Sequence, residues 1–318
     1  MIDAIKFVRG AVAKKDFVPE LTHFRIKDGR ITGYNGVMAL SSPINLDLDA
    51  RPHAVTFANA VAKCEDTISI HMTAAGRLSV KSGPFRALVD CLDDDHTIIP
   101  TAPEGHSVDV GPNFMAALRA VSRYQGIDAS RAWALGVLLK GASILATNNV
   151  MFVEYWHGHA MPLDMNLPSV AVKELLRINQ DPMHVTTDGN TATFHFADDR
   201  WLRTALIAEP WPEMAFSLFD KQQYHYVDMP DIQSGLEAIK PFLEKDQHVY
   251  LNGDSIGTST TQEVGTHYEV PGVPAGQCYA FKVLELLDTA TAVDFTHYPA
   301  PCGFLSDGMR GIFLGLRM

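Results

Sequence analysis

Two histidines one residue apart, His157 and His159 in the run YWHGHAMP, are the residues best spaced for chemistry. On a strand, alternate residues share a face, so the pair could offer two imidazoles to a metal ion, as in a double-stranded β-barrel oxygenase. That site also needs a carboxylate and a third histidine. Glu154 has the wrong parity for the first role, and His184 or His195 would have to supply the second. The run Asp93, Asp94, Asp95 could hold a cation, although a solvated acidic loop accounts for it more simply. Cys64, Cys91, Cys278 and Cys302 are far apart with no CxxC, which suggests buried free thiols rather than a zinc site or a disulfide framework. Nucleophile and phosphate motifs of the forms GxSxG, GxxxxGK[ST] and GxGxxG do not occur. The expectation is a protein that is not an enzyme and holds no metal or cofactor.

The elements that would position these residues point elsewhere. At 318 residues, 47% hydrophobic and 20% charged, the composition is globular. No run approaches the roughly eighteen apolar residues of a membrane span, and MIDAIKFVRG lacks the order of a signal peptide. A cytoplasmic protein without a membrane partner is expected. A formal charge of -11 disfavours a generally basic nucleic-acid binder, but an uneven distribution can place a basic face within an acidic total.

A helix-like segment followed by strand-like alternation recurs every 50 to 60 residues or so. Helices are predicted at approximately Ile2 to Lys15, Val55 to Cys64, Asn113 to Tyr124, Ser169 to Ile178, Asp231 to Lys245 and Cys278 to Asp288. Pro241 should end or kink the fifth. Asp28-Gly29 and Asp188-Gly189 are hairpin signals, so the sheets should be antiparallel. Starting at Asn59, NAVAKCEDTISIHMTAAGRLSVKSGPFRALVDCL aligns with VKELLRINQDPMHVTTDGNTATFHFADDRWLRTALI, both as helix, strand, turn, strand, turn, strand. The C-terminal CYAFKVLELLDTATAVDFTHYPAPCGFLSDGMRGIFLGLRM gives another copy. Six units, two to a domain, predict domains at 1–106, 107–221 and 222–318.

These motifs resemble, in order along essentially the whole chain, the bacterial DNA polymerase III β sliding clamp family. LLKGASILATNNVMFVEYW resembles a second-domain hairpin whose family pattern is close to LRAVATDGHRLA, LRTALIAEPWPEM its Pro-bearing turn, and IFLGLRM its terminal VMPMRL. DGRITGYNGVMALSSPI and RLSVKSGPFRALVDCL fit the opening domain. Asn148 and Asn149 stand where the family has Asp-Gly, Val150 and Met151 replace His-Arg, and Gly315 replaces a proline. Those departures indicate a divergent clamp, of a kind a bacteriophage could encode.

The resemblance implies an α+β fold of three tandem clamp domains, each with two helices packed on antiparallel sheets, closing into a ring as a head-to-tail homodimer. It implies three partners: double-stranded DNA held without sequence readout, a DNA polymerase and a clamp loader. A ring that slides needs diffuse cations on its inner helices. The six helix windows carry Lys6, Arg9, Lys14, Lys15, Lys63, Arg119, Arg123, Lys173, Arg177, Lys240, Lys245 and Lys282 against seven acids, leaving them at +5 and the remainder at -16. By matching position, Lys14 and Lys15 fall on a loop after the first helix, and Arg131 with Trp133 on a loop that touches DNA in the family; an Arg beside an aromatic can bind phosphate and stack on a base. Trp133 also suits a core anchor. The family inserts partner peptides into an apolar pocket, which maps here to Ala134, Thr147, Asn149, Val150, Met151, Phe152, Pro212, Phe313, Leu314, Gly315, Leu316, Arg317 and Met318, with Met151, Leu316 and Met318 as deformable walls. The C-terminal residues would equally complete a sheet. A ring or scaffold that does not bind DNA is the alternative on the same fold.

Overall fold

A computed structural model describes residues 1–65, 67–93, 106–127, 130–261 and 263–318. Asp94 and Asp95 of the acidic run lie outside the described residues, as does the stretch leading to the first expected domain boundary. The chain forms two compact units, Met1–Met115 with Met161–Ile207, and Ala116–Ala160 with Ala208–Met318. The expected antiparallel sheets are present in both.

In the first unit, one sheet runs in the order Arg25–Lys27, Arg30–Tyr34, Met38–Pro43, Arg200–Ala205, Thr191–Phe196, His184–Thr187, His106–Asp109. Its middle joins residues far apart in sequence, with Leu202 opposite Leu40. One face is apolar because period-two alternation places Ile26, Ile31, Leu40, Leu202, Phe194 and Val185 on the same side, all fully buried. Each such side chain contributes roughly 1.5–3 kcal/mol on removal from water. A three-stranded sheet of Ser69–Met72, Leu78–Ser82 and Phe85–Val89 also belongs to this unit.

The second unit has strands in the order Gly136–Lys140, Ser143–Thr147, Met151–Trp156, Met309–Phe313, Cys302–Ser306, Ala292–Asp294, Val227–Asp228. A four-stranded sheet of His267–Glu269, Ser255–Gly257, His248–Asn252 and Ala275–Ala280 accompanies them.

The helix Ser169–Ile178 falls where the sequence predicts it, behind Pro168 and closed by Asn179 in the left-handed region. Others are shorter than predicted. Ile2–Val8 gives way to a 3-10 turn at Arg9–Ala11, where Gly10 weakens the helix, so Lys14 and Lys15 lie beyond it. Ile232–Ile239 begins at Asp231, whose carboxylate accepts the Ser234 N–H, and passes into a 3-10 turn where Pro241 lacks a donor. Lys245 is therefore not helical. The sixth prediction starts too early: Cys278 belongs to the strand Ala275–Ala280, opposite Tyr250, and only Phe281–Glu285 is helical. An apolar run of that length suits either element, and the sheet partner decides.

The turns alternate. Asp28 and Gly29, at φ 50° and 69°, make the predicted two-residue turn, and the next turn, centred on Asn35, is wider. Lys140 and Ser143 likewise flank a two-residue turn, followed by a wider one at Asn148. Elsewhere the order reverses: a wide turn at Thr73–Arg77 precedes the tight Gly83-Pro84, and a wide loop after Asp294 precedes the tight Asp307-Gly308. Asp188 and Gly189 do connect a hairpin, but a wider one than the dipeptide suggests. The Asp188 carboxylate accepts the N–H groups of Asn190 and Thr191, which takes Asn190 into the turn.

Candidate functional site

Within the second unit, the strands Ser143–Thr147 and Met151–Trp156 are joined by a turn built around Asn148. Its Oδ1 accepts the Val150 N–H at 3.2 Å and the Met151 N–H at 2.8 Å. The Thr147 hydroxyl donates to the Met151 carbonyl at 2.6 Å and accepts the Asn149 N–H at 3.1 Å. Asn149 sits at φ 71°, a conformation asparagine tolerates better than most residues. These bonds fix the loop and direct Phe152 inward.

A 3-10 turn, Ala132–Leu135, brings up Trp133, whose backbone N–H donates to Glu209 Oε2 at 3.2 Å. A third segment follows Pro212, with the short helix Glu213–Phe216. Its aromatics lock onto the first two pieces: Trp133 and Trp211 have ring centroids 5.0 Å apart, and Phe152 stacks on Phe219 at 4.6 Å. Arg310 lies over the Phe219 ring at 4.4 Å. Ala134, Leu138, Leu145 and Ile312 are buried in the same cluster.

These pieces enclose a cavity of about 480 Å³. Thr147, Asn149 and Phe152 line it from the hairpin, Arg131 and Trp133 from the 3-10 turn. The third segment supplies Trp211, Pro212, Met214, Ala215, Leu218 and Lys221. Among the described residues the wall is apolar apart from the two cations and the Thr and Asn groups, which suits a ligand that enters by an apolar anchor.

The expected pocket set is thus partly brought together. Thr147, Asn149, Phe152 and Pro212 line the cavity, and Ala134 is buried in the cluster that also holds Phe152. Val150 is exposed, while Met151 is buried and pairs with Phe313 on the neighbouring strand. Phe313 itself lies in the core among Tyr279, Phe295 and Phe304. Leu314, Gly315, Leu316, Arg317 and Met318 do not line the cavity. The Leu314 N–H donates to the Val150 carbonyl, the Leu316 N–H to the Cys278 carbonyl, and the Tyr298 hydroxyl to the Leu316 carbonyl. Gly315 is needed there, since a Cβ would lie 2.4 Å from the Tyr298 ring. Trp211, Met214, Ala215, Leu218 and Lys221 line the cavity outside the set the sequence predicts. The aromatic spacing of Trp211, Phe216 and Phe219 was the available signal.

All the basic residues predicted to meet DNA are exposed: Lys6, Arg9, Lys14, Lys15, Lys63, Arg119, Arg123, Arg131, Lys173, Arg177, Lys240, Lys245 and Lys282. Trp133 is buried and forms part of the cavity wall. Several cations are already paired. Arg123 meets Asp288 at 2.8 Å, and Arg177 meets the buried Glu174 at 2.5 Å while donating to the Phe7 carbonyl. Lys282 and Lys240 both reach Glu285, at 2.7 and 3.3 Å, and hold its carboxyl below the usual range, chiefly through the Lys282 hydrogen bond. Among the described residues, Lys6, Arg9, Lys14, Lys15, Lys63, Lys173 and Lys245 take part in no ion pair.

The oxygenase geometry is not formed. The strand that carries Glu154 ends at Trp156, so His157 and His159 do not alternate on it; the first is buried and the second exposed. Glu154 is occupied by the Ser143 hydroxyl and by Arg310, each at 2.7 Å. His184 and His195 stack on each other in the first unit. Among the described residues no three His, Cys, Asp or Glu side chains are placed to hold a metal ion, and no helix is long and apolar enough to cross a membrane.

No family model matches the sequence, and no curated protein matches it. Solved structures do match. The DNA polymerase sliding clamp from Bacillus subtilis superposes with a TM-score of 0.81 at 17% identity, covering 100% of this chain and 97% of the other. The DNA polymerase beta subunit of Streptococcus pyogenes gives 0.81 at 14% identity over the same shares. The Helicobacter pylori beta clamp bound to a DNA ligase peptide gives 0.77 at 13%, again covering 100% and 97%. The chain has the sliding-clamp fold.

Proposed function

We propose that this chain is a DNA sliding clamp, a non-enzymatic ring of two copies joined head to tail around duplex DNA, which tethers a polymerase and other partners. The similarity to clamps over the full length of the chain carries this reading. The turn order adds support, since tight-then-wide followed by wide-then-tight suggests a two-part domain used repeatedly, in keeping with domains at 1–106, 107–221 and 222–318. A ring holds DNA by topology and needs only weak, diffuse contacts with phosphates. The exposed cations Lys6, Arg9, Lys14, Lys15, Lys63, Lys173 and Lys245 suit that task, and the cations held by Glu174, Glu285 and Asp288 would contribute less. The cavity at Phe152 and Trp211 would receive partner peptides, as the peptide complex of the Helicobacter pylori clamp suggests by analogy.

The test is retention on DNA in the presence of a clamp loader. Protein loaded on a nicked circle should resist a high-salt wash and be lost once the circle is cut, whereas equal loss from circular and linear DNA would refute the ring. Solution mass should correspond to two chains of 34.9 kDa.

A further inference from the structure

In the first unit, the loop after the 3-10 turn Arg9–Ala11 carries an aromatic ring that the fold does not use. Phe17 is 104% exposed, more than any other large hydrophobic residue among those described, so its whole ring is left in water. The loop itself is braced. The Ala13 N–H donates to the Leu21 carbonyl at 2.8 Å, and the Asp16 carboxylate accepts the Val18 N–H at 2.9 Å. The chain then enters the 3-10 turn Pro19–Thr22, where the Thr22 hydroxyl donates to the Pro19 carbonyl at 2.6 Å. Lys14 and Lys15 stand directly before the ring, both exposed and, among the described residues, in no ion pair. Of the two acids in the loop, Asp16 is turned toward its own backbone and Glu20 is half-buried, acting on His23. A bare ring held out beside two unneutralised cations offers a stacking face and a phosphate contact side by side.

We propose that this loop is a contact for unpaired DNA, in which Phe17 stacks on a base of a single strand while Lys14 and Lys15 meet its neighbouring phosphates. The proposal goes beyond a ring that holds duplex by diffuse charge, and it rests on that reading for DNA being the ligand at hand. Inside a duplex both faces of each base are already stacked, so a ring projecting from a loop has no face to take up. A base in single-stranded DNA has one free, and the contact is tolerant of sequence because every base has such a face. The contact therefore selects the state of the strand rather than its sequence. A lipid surface would also attract two lysines and an aromatic ring, but membrane binding scales with the apolar area buried. Only Val18 and Pro19 are exposed next to Phe17, which is a small patch for that purpose.

Fluorescein-labelled duplexes with a single-stranded overhang provide the probe, one overhang made of thymidines and the other of abasic units of equal length, which keep the phosphates and remove the bases. Anisotropy with the full chain should show the thymidine overhang bound about tenfold tighter. Phe17→Ala should abolish that difference and Phe17→Trp should keep it. Lys14→Gln combined with Lys15→Gln should weaken both overhangs alike and flatten the salt dependence. Melting temperature should stay unchanged in every variant, because all three side chains are exposed. Equal binding of the two overhangs by the unaltered chain would overturn base stacking. A thymidine preference that survives Phe17→Ala would overturn its assignment to this loop. In both cases retention on circular DNA would leave the ring standing, whereas loss of that retention is the separate failure of the clamp reading. Binding to vesicles of phosphatidylcholine and phosphatidylglycerol that Phe17→Ala removes, with no thymidine preference, would overturn the proposal in favour of a lipid surface.

Discussion

In the first unit the strand Arg30–Tyr34 turns through Asn35 into Met38–Pro43; in the second, Ser143–Thr147 turns through Asn148 into Met151–Trp156. Each asparagine Oδ1 accepts two backbone N–H groups, from Val37 and Met38 in one case and from Val150 and Met151 in the other. Each hairpin follows a two-residue turn, and each is preceded by a 3-10 turn, Pro19–Thr22 and Ala132–Leu135. The side chains differ. Against the first turn lies Leu21, 3.8 Å from where a Cβ on Gly36 would stand; the corresponding region of the second has Trp133 and Asn149 lining the cavity. At the matching strand positions, Gly33 lets the Val8 carbonyl approach while Ala146 is simply buried. Shared backbone therefore sets the frame, and a few side chains decide whether it seats a helix or walls a cavity.

Gly33→Ala is the change expected to break this comparison most sharply. The new Cβ would lie 2.7 Å from the Val8 carbonyl oxygen and 3.1 Å from that of Ala11, both backbone atoms that cannot swing aside. A loss of about 3 kcal/mol is expected from such overpacking. Ala146→Gly in the second unit should cost about 1 kcal/mol, through backbone entropy and a lost methyl. Urea unfolding of the two variants measures the contrast. If both lost the same stability, the close seat of the first helix would not distinguish the hairpins.

Smaller effects should show what the hairpins share. Asn35→Ala and Asn148→Ala each deprive two N–H groups of an acceptor, at about 1 kcal/mol apiece because water can partly replace it at the surface. The Asn148 variant should also weaken binding of an apolar-anchored peptide, since the turn carries Asn149 and leads into Phe152, whereas the Asn35 variant should not. Peptide affinity measured on both variants sharpens the assignment of the cavity, and an equal loss in both would point to a general loosening instead.

How far the sequence disclosed all this depended on whether the deciding contacts were local. The Asp28-Gly29 turn was legible because two residues with positive φ specify it, and the helix Ser169–Ile178 because its apolar spacing and flanking residues agree. The local sequence reads Cys278 as helical, whereas strand or helix there depends on Tyr250, nearly thirty residues away. The cavity was half legible. Thr147, Asn149 and Phe152 follow from one hairpin, but Trp211, Met214 and Leu218 join through aromatic packing between distant segments, and Phe313 is drawn into the core by Tyr279 and Phe295. The alternative of the C-terminal residues completing a sheet fits Phe313, which ends a strand beside Met151.

The smallest expected effect is a difference in acid sensitivity. In the first unit, His184 and His195 face each other across adjacent strands with ring centroids 4.3 Å apart. Burial, reinforced by the charge of His184, pulls the pKa of His195 below 6.5, and Asp199 only partly opposes this. His23, beside His53 in the same unit, is lowered chiefly by burial as well. A histidine whose folded pKa is depressed favours the neutral form, so between its unfolded and folded values the unfolded chain binds more protons. Stability therefore falls as pH drops from about 7 through 6.5 toward the lower folded values, and the loss levels off below them. Among the described residues the second unit has no stacked histidine pair. Hydrogen exchange on acidification should accordingly open His184–Thr187 and Thr191–Phe196 before Ser143–Thr147 and Met151–Trp156. His195→Asn should flatten the pH dependence of stability. An unchanged slope in that variant would assign the acid sensitivity to other groups and remove this difference between the two units.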